Sequence, residues 1–245
     1  MSISPQPKER PILFSAPMVR AILDGRKTVT RRPVKGGQIP VEDTRTPPVG
    51  SLRWSAIGQR DPRYGFCVFG VTEAECAKEL EEFAKCPYGK PGDRLWVREA
   101  WVADAQLDSV APRELSQGEP IRYPADEAVR QTGCVMISPG KTRPSIHMPR
   151  WVSRILLEIT EVRVERLQDI SDAQALAEGI VGVDFRPDDG WPICTGYMVG
   201  PDDGKSPLET TAAKAFAGLW SSINGADSWA ANPWVWVVEF KRVQP

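Results

Sequence analysis

Apolar residues in this chain repeat at four-residue spacing in a few short segments and alternate in others, with long polar, proline-punctuated stretches between them. From Ser15 to Gly25 the spacing predicts a short helix. Ser15 caps the first turn, Pro17 is tolerated there, Met18/Ile22 and Val19/Leu23 repeat at four, and Gly25 ends it. Lys27-Thr28-Val29-Thr30-Arg31-Arg32 follows that glycine with three consecutive β-branched residues, which favours an extended strand. Lys35 to about Arg60 reads as irregular loop, and residues 72–85 have the composition of a charged helix. Lys90-Pro91-Gly92-Asp93 is a turn that launches the alternating strand Leu95 to Glu99. Between about Ala103 and Pro149 no period is sustained and prolines recur, so this stretch reads as an excursion from the core.

Further along, Ile155, Leu157 and Ile159 alternate, and the pattern resumes at Val162 and Val164 on the opposite parity; a β-bulge near Thr160 would reconcile the two. Ser171-Asp172-Ala173-Gln174 is a capping box that predicts a helix from about Asp172 to Ala177 or Glu178, stopped by Gly179. Ala212, Phe216, Leu219, Trp220 and Ile223 form the apolar stripe of an amphipathic helix closed by Gly225. Trp234 to Phe240 is apolar on nearly both faces and reads as a central, covered strand. Short strands separated by loops, with few helices, predict an α+β chain built as a small mixed barrel. One domain with insertions is the expectation for 245 residues.

Composition adds limits. The chain has 23 prolines in 245 residues, against ~5% in an average protein, which favours loop. No apolar run approaches the roughly 18 residues of a membrane span, and MSISPQPKERP lacks a basic-then-apolar signal pattern. A cytoplasmic location with no membrane partner is therefore expected. Cys67, Cys76, Cys86, Cys134 and Cys194 are widely spaced with no CxxC pair, so free thiols are expected rather than disulfides or a zinc site. His147 is the single histidine, which points to chemistry without histidine. Neither a Walker A nor a GxGxxG sequence is present, and no cofactor or metal is called for.

The net charge of −1 argues against wholesale coating of a polyanion. Yet Arg26, Lys27, Arg31, Arg32 and Lys35 place five positive charges in ten residues with no negative one. Such a patch fits selective binding of a nucleic acid or nucleotide, and a solvated charged face fits it as well. Trp96, Trp101 and Trp151 offer stacking surfaces for bases, whereas Trp220, Trp234 and Trp236 lie in regular apolar patterns and belong to the core.

The run Gly25-Arg26-Lys27-Thr28-Val29-Thr30-Arg31, continued by Arg32 and read as GxKTxTxR after a short helix, resembles the signature of ASCH domains, members of the PUA-like superfamily. The turn Lys90 to Asp93, the helix ending in Glu178, and a final strand containing Val-Glu-Phe-Lys follow in matching order. The resemblance covers roughly residues 12–32, 90–101, 150–180 and 208–243. It leaves about 35–89, 103–149 and 181–207 as insertions in a single domain, 1–245. In size the chain looks like the large ASCH proteins carried by phages and prophages. The resemblance implies a PUA-like small mixed β-barrel with flanking helices and long loop insertions, and RNA or a nucleoside as partner; it says nothing of protein partners.

One branch that the chain is similar to contains the small bacterial N4-acetylcytidine amidohydrolases, where a lysine, a threonine and a glutamate form the working site. By that resemblance the catalytic residues are Lys27, Thr30 and Glu178, with Glu99 competing for the carboxylate position. Arg26, Arg31, Arg32 and Glu99 are the expected ligand-binding residues around a basic cleft. Amide hydrolysis needs a nucleophile, a proton acceptor and a donor for the leaving nitrogen, which these residue types supply. Lys27 and Thr30 have opposite parity, so in a regular strand they face apart. Lys27 must then stand at the helix-to-strand corner, or the strand must bulge. A non-catalytic RNA-binding module, a ribonuclease and a phage assembly or interaction protein are the alternatives.

Overall fold

A computed structural model describes residues 6–35, 38–44, 52–58, 66–131, 133–187, 190, 192–200 and 207–244. The first half carries β1 (Glu9–Leu13), α1 (Ala16–Leu23), β2 (Val29–Pro33), β3 (Val41–Glu42), β4 (Trp54–Ile57), β5 (Cys67–Gly70), α2 (Glu73–Phe83), β6 (Arg94–Arg98) and β7 (Trp101–Asp104). There follow β8 (Ile121–Tyr123), β9 (Ala128–Arg130), β10 (Pro139–Arg143), β11 (Leu156–Arg166), α3 (Asp172–Ala177), β12 (Ile180–Phe185), β13 (Cys194–Val199), α4 (Ala212–Asn224) and β14 (Trp234–Val243). The chain is mixed α+β, mostly sheet with few helices. Each sheet has an open strand order among the described residues, where a closed barrel was expected. No described helix is long and apolar enough to cross a membrane.

Two compact units divide the chain: Met1–Thr28, Gly92–Glu158 and Lys241–Pro245 form one, and Val29–Pro91 with Ile159–Phe240 form the other. In the first, β1 runs parallel to β6, Glu9 opposite Arg94 and Leu13 opposite Arg98, and the start of β11 pairs antiparallel with β6. A second sheet has the order β10-β7-β8-β9. It lies in the stretch read as an excursion, yet Trp101, Ile121, Tyr123, Met148 and Val152 make a core there. Its strands β8 and β9 have three residues each, too few to display a period. Arg143 takes over part of the organising role, donating to the carbonyls of Leu107 (2.6 Å) and Val110 (2.9 Å) with its guanidinium 5.1 Å from the Trp101 ring centroid.

In the second unit β14 pairs antiparallel with β2, Val237 opposite Arg31 and Val238 opposite Thr30. Side chains alternate along a strand, and the two faces of β14 enter different cores. Val235 and Val237 pack with Phe216 and Trp220 of α4, while Trp234 and Trp236 pack with Cys76 and Leu80 of α2. The covered strand expected from the sequence is thus found. Helix α2 begins with a capping box from Thr72 and Glu75, and α3 with one from Ser171 and Gln174. Two stretches read as loop contain strands instead: β3-β4-β5 form a three-stranded sheet, and β12 and β13 an antiparallel pair with Ile180 opposite Val199. Strand β11 runs unbroken over eleven residues, with Thr160 and Glu161 exposed where the apolar parity changes.

Asp104, at the end of β7, accepts N–H bonds from Gln106 (3.1 Å), Ile137 (2.6 Å) and Ser138 (3.3 Å), pinning the segment before β10. The bonds from Gln106 and Ile137 hold its carboxyl below the ordinary aspartate range; burial opposes them and Ser138 adds to them. A carboxylate depressed by folding stabilises the protein above its unfolded value of about 3.9, and that stabilisation is lost as pH falls through the lower folded value. Urea unfolding from pH 7 downward tests this. Asp104→Asn should be less stable than wild type at pH 7 and should lose less on acidification.

Candidate functional site

The helix-to-strand corner belongs to the first unit. Helix α1 stops at Leu23, Gly25 takes φ +75°, and the N–H groups of Arg26 and Lys27 both donate to the Ala21 carbonyl at 2.9 Å. Glycine's tolerance of positive φ makes that turn possible. Lys27 therefore stands at the corner, ahead of β2, as the parity argument required. It is 2% exposed, with its ammonium 5.6 Å from the ring centroid of the buried Phe14. Arg26 instead pairs with Asp24 at 2.9 Å near the surface, where such a pair contributes little.

Thr30, Arg31, Arg32 and Glu178 belong to the second unit. β2 pairs with β14 residue for residue from Val29 to Pro33, so alternation holds along it. Val29 lies in the core around α4, and Arg31 shares its face. Thr30 and Arg32 occupy the opposite face. The side chain of Arg31 is fully out of solvent, its Nη1 donating to Glu178 Oε1 at 3.4 Å and its Nη2 to Glu165 Oε2 at 3.2 Å. Glu178 is the C-cap residue of α3, 3% exposed, and is followed by Gly179 at φ +105°. The capping box at Ser171 fixes where α3 starts, and the helix length then fixes where Glu178 falls.

Arg32 is held below the ordinary arginine value by burial, with Tyr88 and Glu178 favouring its charge. Thr30 is 3% exposed on the Arg32 face. The ion pair of Arg31 with Glu178 brings two of the expected site residues together within this unit.

Two partners were missed. Glu165 on β11 is bonded by Arg163, which also donates to Glu239 on β14 at 2.5 Å and to Glu161 at 3.2 Å. Burial works against the Arg163 charge, but its bonds to Glu165 and Glu239 prevail and hold it above the ordinary value. The available signal was Glu161, Arg163 and Glu165 alternating with Val162 and Val164, one charged and one apolar face on a strand.

Glu99, in the first unit, is 1% exposed. Arg154 donates to both its oxygens (2.9 and 3.0 Å) and to both oxygens of Asp126 (2.9 and 2.8 Å), with the guanidinium 4.0 Å from the Tyr123 ring centroid. Burial raises the Glu99 carboxyl against the pull of Arg154, and pushes the Tyr123 phenol up to about 12. The Tyr123 hydroxyl donates to the Val152 carbonyl at 2.7 Å. This geometry is that of a lock on the β6–β7 turn, with both Glu99 oxygens already engaged. Of the expected stacking surfaces, Trp101 is wholly buried in its core and Trp96 lies beneath Arg98. Trp151 is half-buried against Arg130, and His147 is exposed.

No family model matches the chain, and no curated protein or solved structure matches it either.

Removing one partner of a buried charge network leaves the others poorly compensated. Arg31→Met should cost about 3–5 kcal/mol in urea unfolding. Arg26→Met, at the surface, should change stability by less than about 1 kcal/mol.

Proposed function

We propose that this chain is an ASCH-type protein that binds a nucleoside and hydrolyses an N-acylated pyrimidine nucleoside, with N4-acetylcytidine the concrete substrate. With this reading go the PUA-like relationship, the cytoplasmic location and the phage or prophage setting that the resemblance implies. Burial is the observation that supports it: Lys27, Thr30, Arg31 and Glu178 are each at most 4% exposed. Taking an ionised group out of water costs several kcal/mol. A solvated basic face would carry no such cost.

In the proposed reaction the Thr30 hydroxyl attacks the acyl carbonyl, the C–N bond breaks, and the leaving amine takes a proton to give cytidine. Water then hydrolyses the threonine ester, releasing acetate and restoring the hydroxyl. Glu178 is assigned to proton transfer, and Lys27 takes the catalytic place that the resemblance gives it. Phosphate neutralisation by an RNA-binding module fits less well, because Arg31 and Arg26 are already paired with carboxylates. Cations compensated in this way release few counterions on binding a polyanion.

Chromatography of N4-acetylcytidine incubated with wild type, Lys27→Met and Glu178→Gln tests the proposal. Wild type should release cytidine and acetate, and Glu178→Gln should be slower by about 10²- to 10⁴-fold. A folded wild type that releases no cytidine overturns the reading. RNA binding that weakens steeply with salt would then favour the non-catalytic module.

A further inference from the structure

Arg31 carries two terminal nitrogens that match the two oxygens of one carboxylate, and a guanidinium facing a single glutamate closes on it at two points. It does not do so here. Nη1 reaches Glu178 through Oε1 at 3.4 Å, while Nη2 is drawn to Glu165 Oε2 at 3.2 Å. Glu165 is itself fixed, because Arg163 bonds its other oxygen, Oε1. Arg163 is in turn anchored to Glu239 of β14 at 2.5 Å. The sharing of Arg31 is thus imposed by groups on β11 and β14 rather than by α3, which carries Glu178.

We infer that Glu165 is a positioning residue for the hydrolysis proposed above: it holds Arg31 away from a two-point clamp on Glu178 and so sets how Arg31 orients that carboxylate for proton transfer. The inference rests on that reading of the site. Neither Glu165 nor Arg163 is a catalytic residue in this scheme; both act through Arg31.

Steady-state kinetics on N4-acetylcytidine tests it, with kcat expressed per folded protein from circular dichroism. Glu165→Gln keeps the shape of the side chain and an oxygen for Arg163 but releases Arg31. It should lower kcat by on the order of tenfold to a hundredfold with KM unchanged. Arg31→Lys keeps the charge but cannot fork between two carboxylates, and should do the same. Because both changes undo one arrangement, the double variant should be no slower than the worse single variant. A merely structural role would reduce the folded fraction, leave kcat per folded molecule unchanged, and overturn the inference. Losses that multiply in the double variant would also overturn it. No turnover by a folded wild type would overturn the hydrolysis reading and this inference together, whereas an active wild type with an equally active Glu165→Gln would overturn this inference alone.

Discussion

The Arg31 guanidinium lies entirely out of water, and a buried cation must find its compensating charge inside the protein. Much of the second unit's geometry answers that demand. Strand β2 brings Arg31 to the face shared with α4, β11 supplies Glu165, and the C-terminus of α3 supplies Glu178. Around these charges the apolar rows of β14 close two cores, one on each face. Phe216, Trp220, Trp234 and Trp236 bury large apolar areas there, the kind of stabilisation against which the cost of the buried charges is set.

Ion pairs of this kind are weak evidence for stability, because desolvation offsets most of their attraction. Their value lies in orientation. Glu178 sits in the cap of a helix of six residues, an element with little stability of its own. A contact to a strand-borne arginine ties it to the most regular part of the unit. The Arg154 lock in the first unit shows the same device without an evident reactive group: Glu99, Asp126 and Tyr123 surround one guanidinium and hold a turn in place.

The long periodic elements were legible from the sequence, and for identifiable reasons. Helix α4 has a stripe over three turns, α3 a capping box and a glycine stop, and β14 an apolar run without interruption. The corner at Gly25 was legible as a glycine stop, and strand parity left Lys27 either at that corner or beside a bulge. Strands β3, β8 and β9, of two or three residues each, were invisible because alternation needs length. Strands β12 and β13 were hidden among glycine, proline and aspartate residues that read as turn. For the candidate site, burial was not legible: Lys27 and Arg31 in a basic run look like a solvated face. Glu165 lies 134 residues from Arg31 in sequence, and no local pattern links them.

On the proposed reading the charges around Arg31 are kept for function and add little to stability. Urea unfolding of the neutral triple variant Arg31→Met/Glu165→Gln/Glu178→Gln, which removes all three charges while keeping side-chain size, tests it most directly. Its stability should equal or exceed that of wild type, because no buried charge of this trio remains to be compensated. A loss as large as that of deleting a core side chain, about 3 kcal/mol or more, would contradict it and assign these charges to the fold.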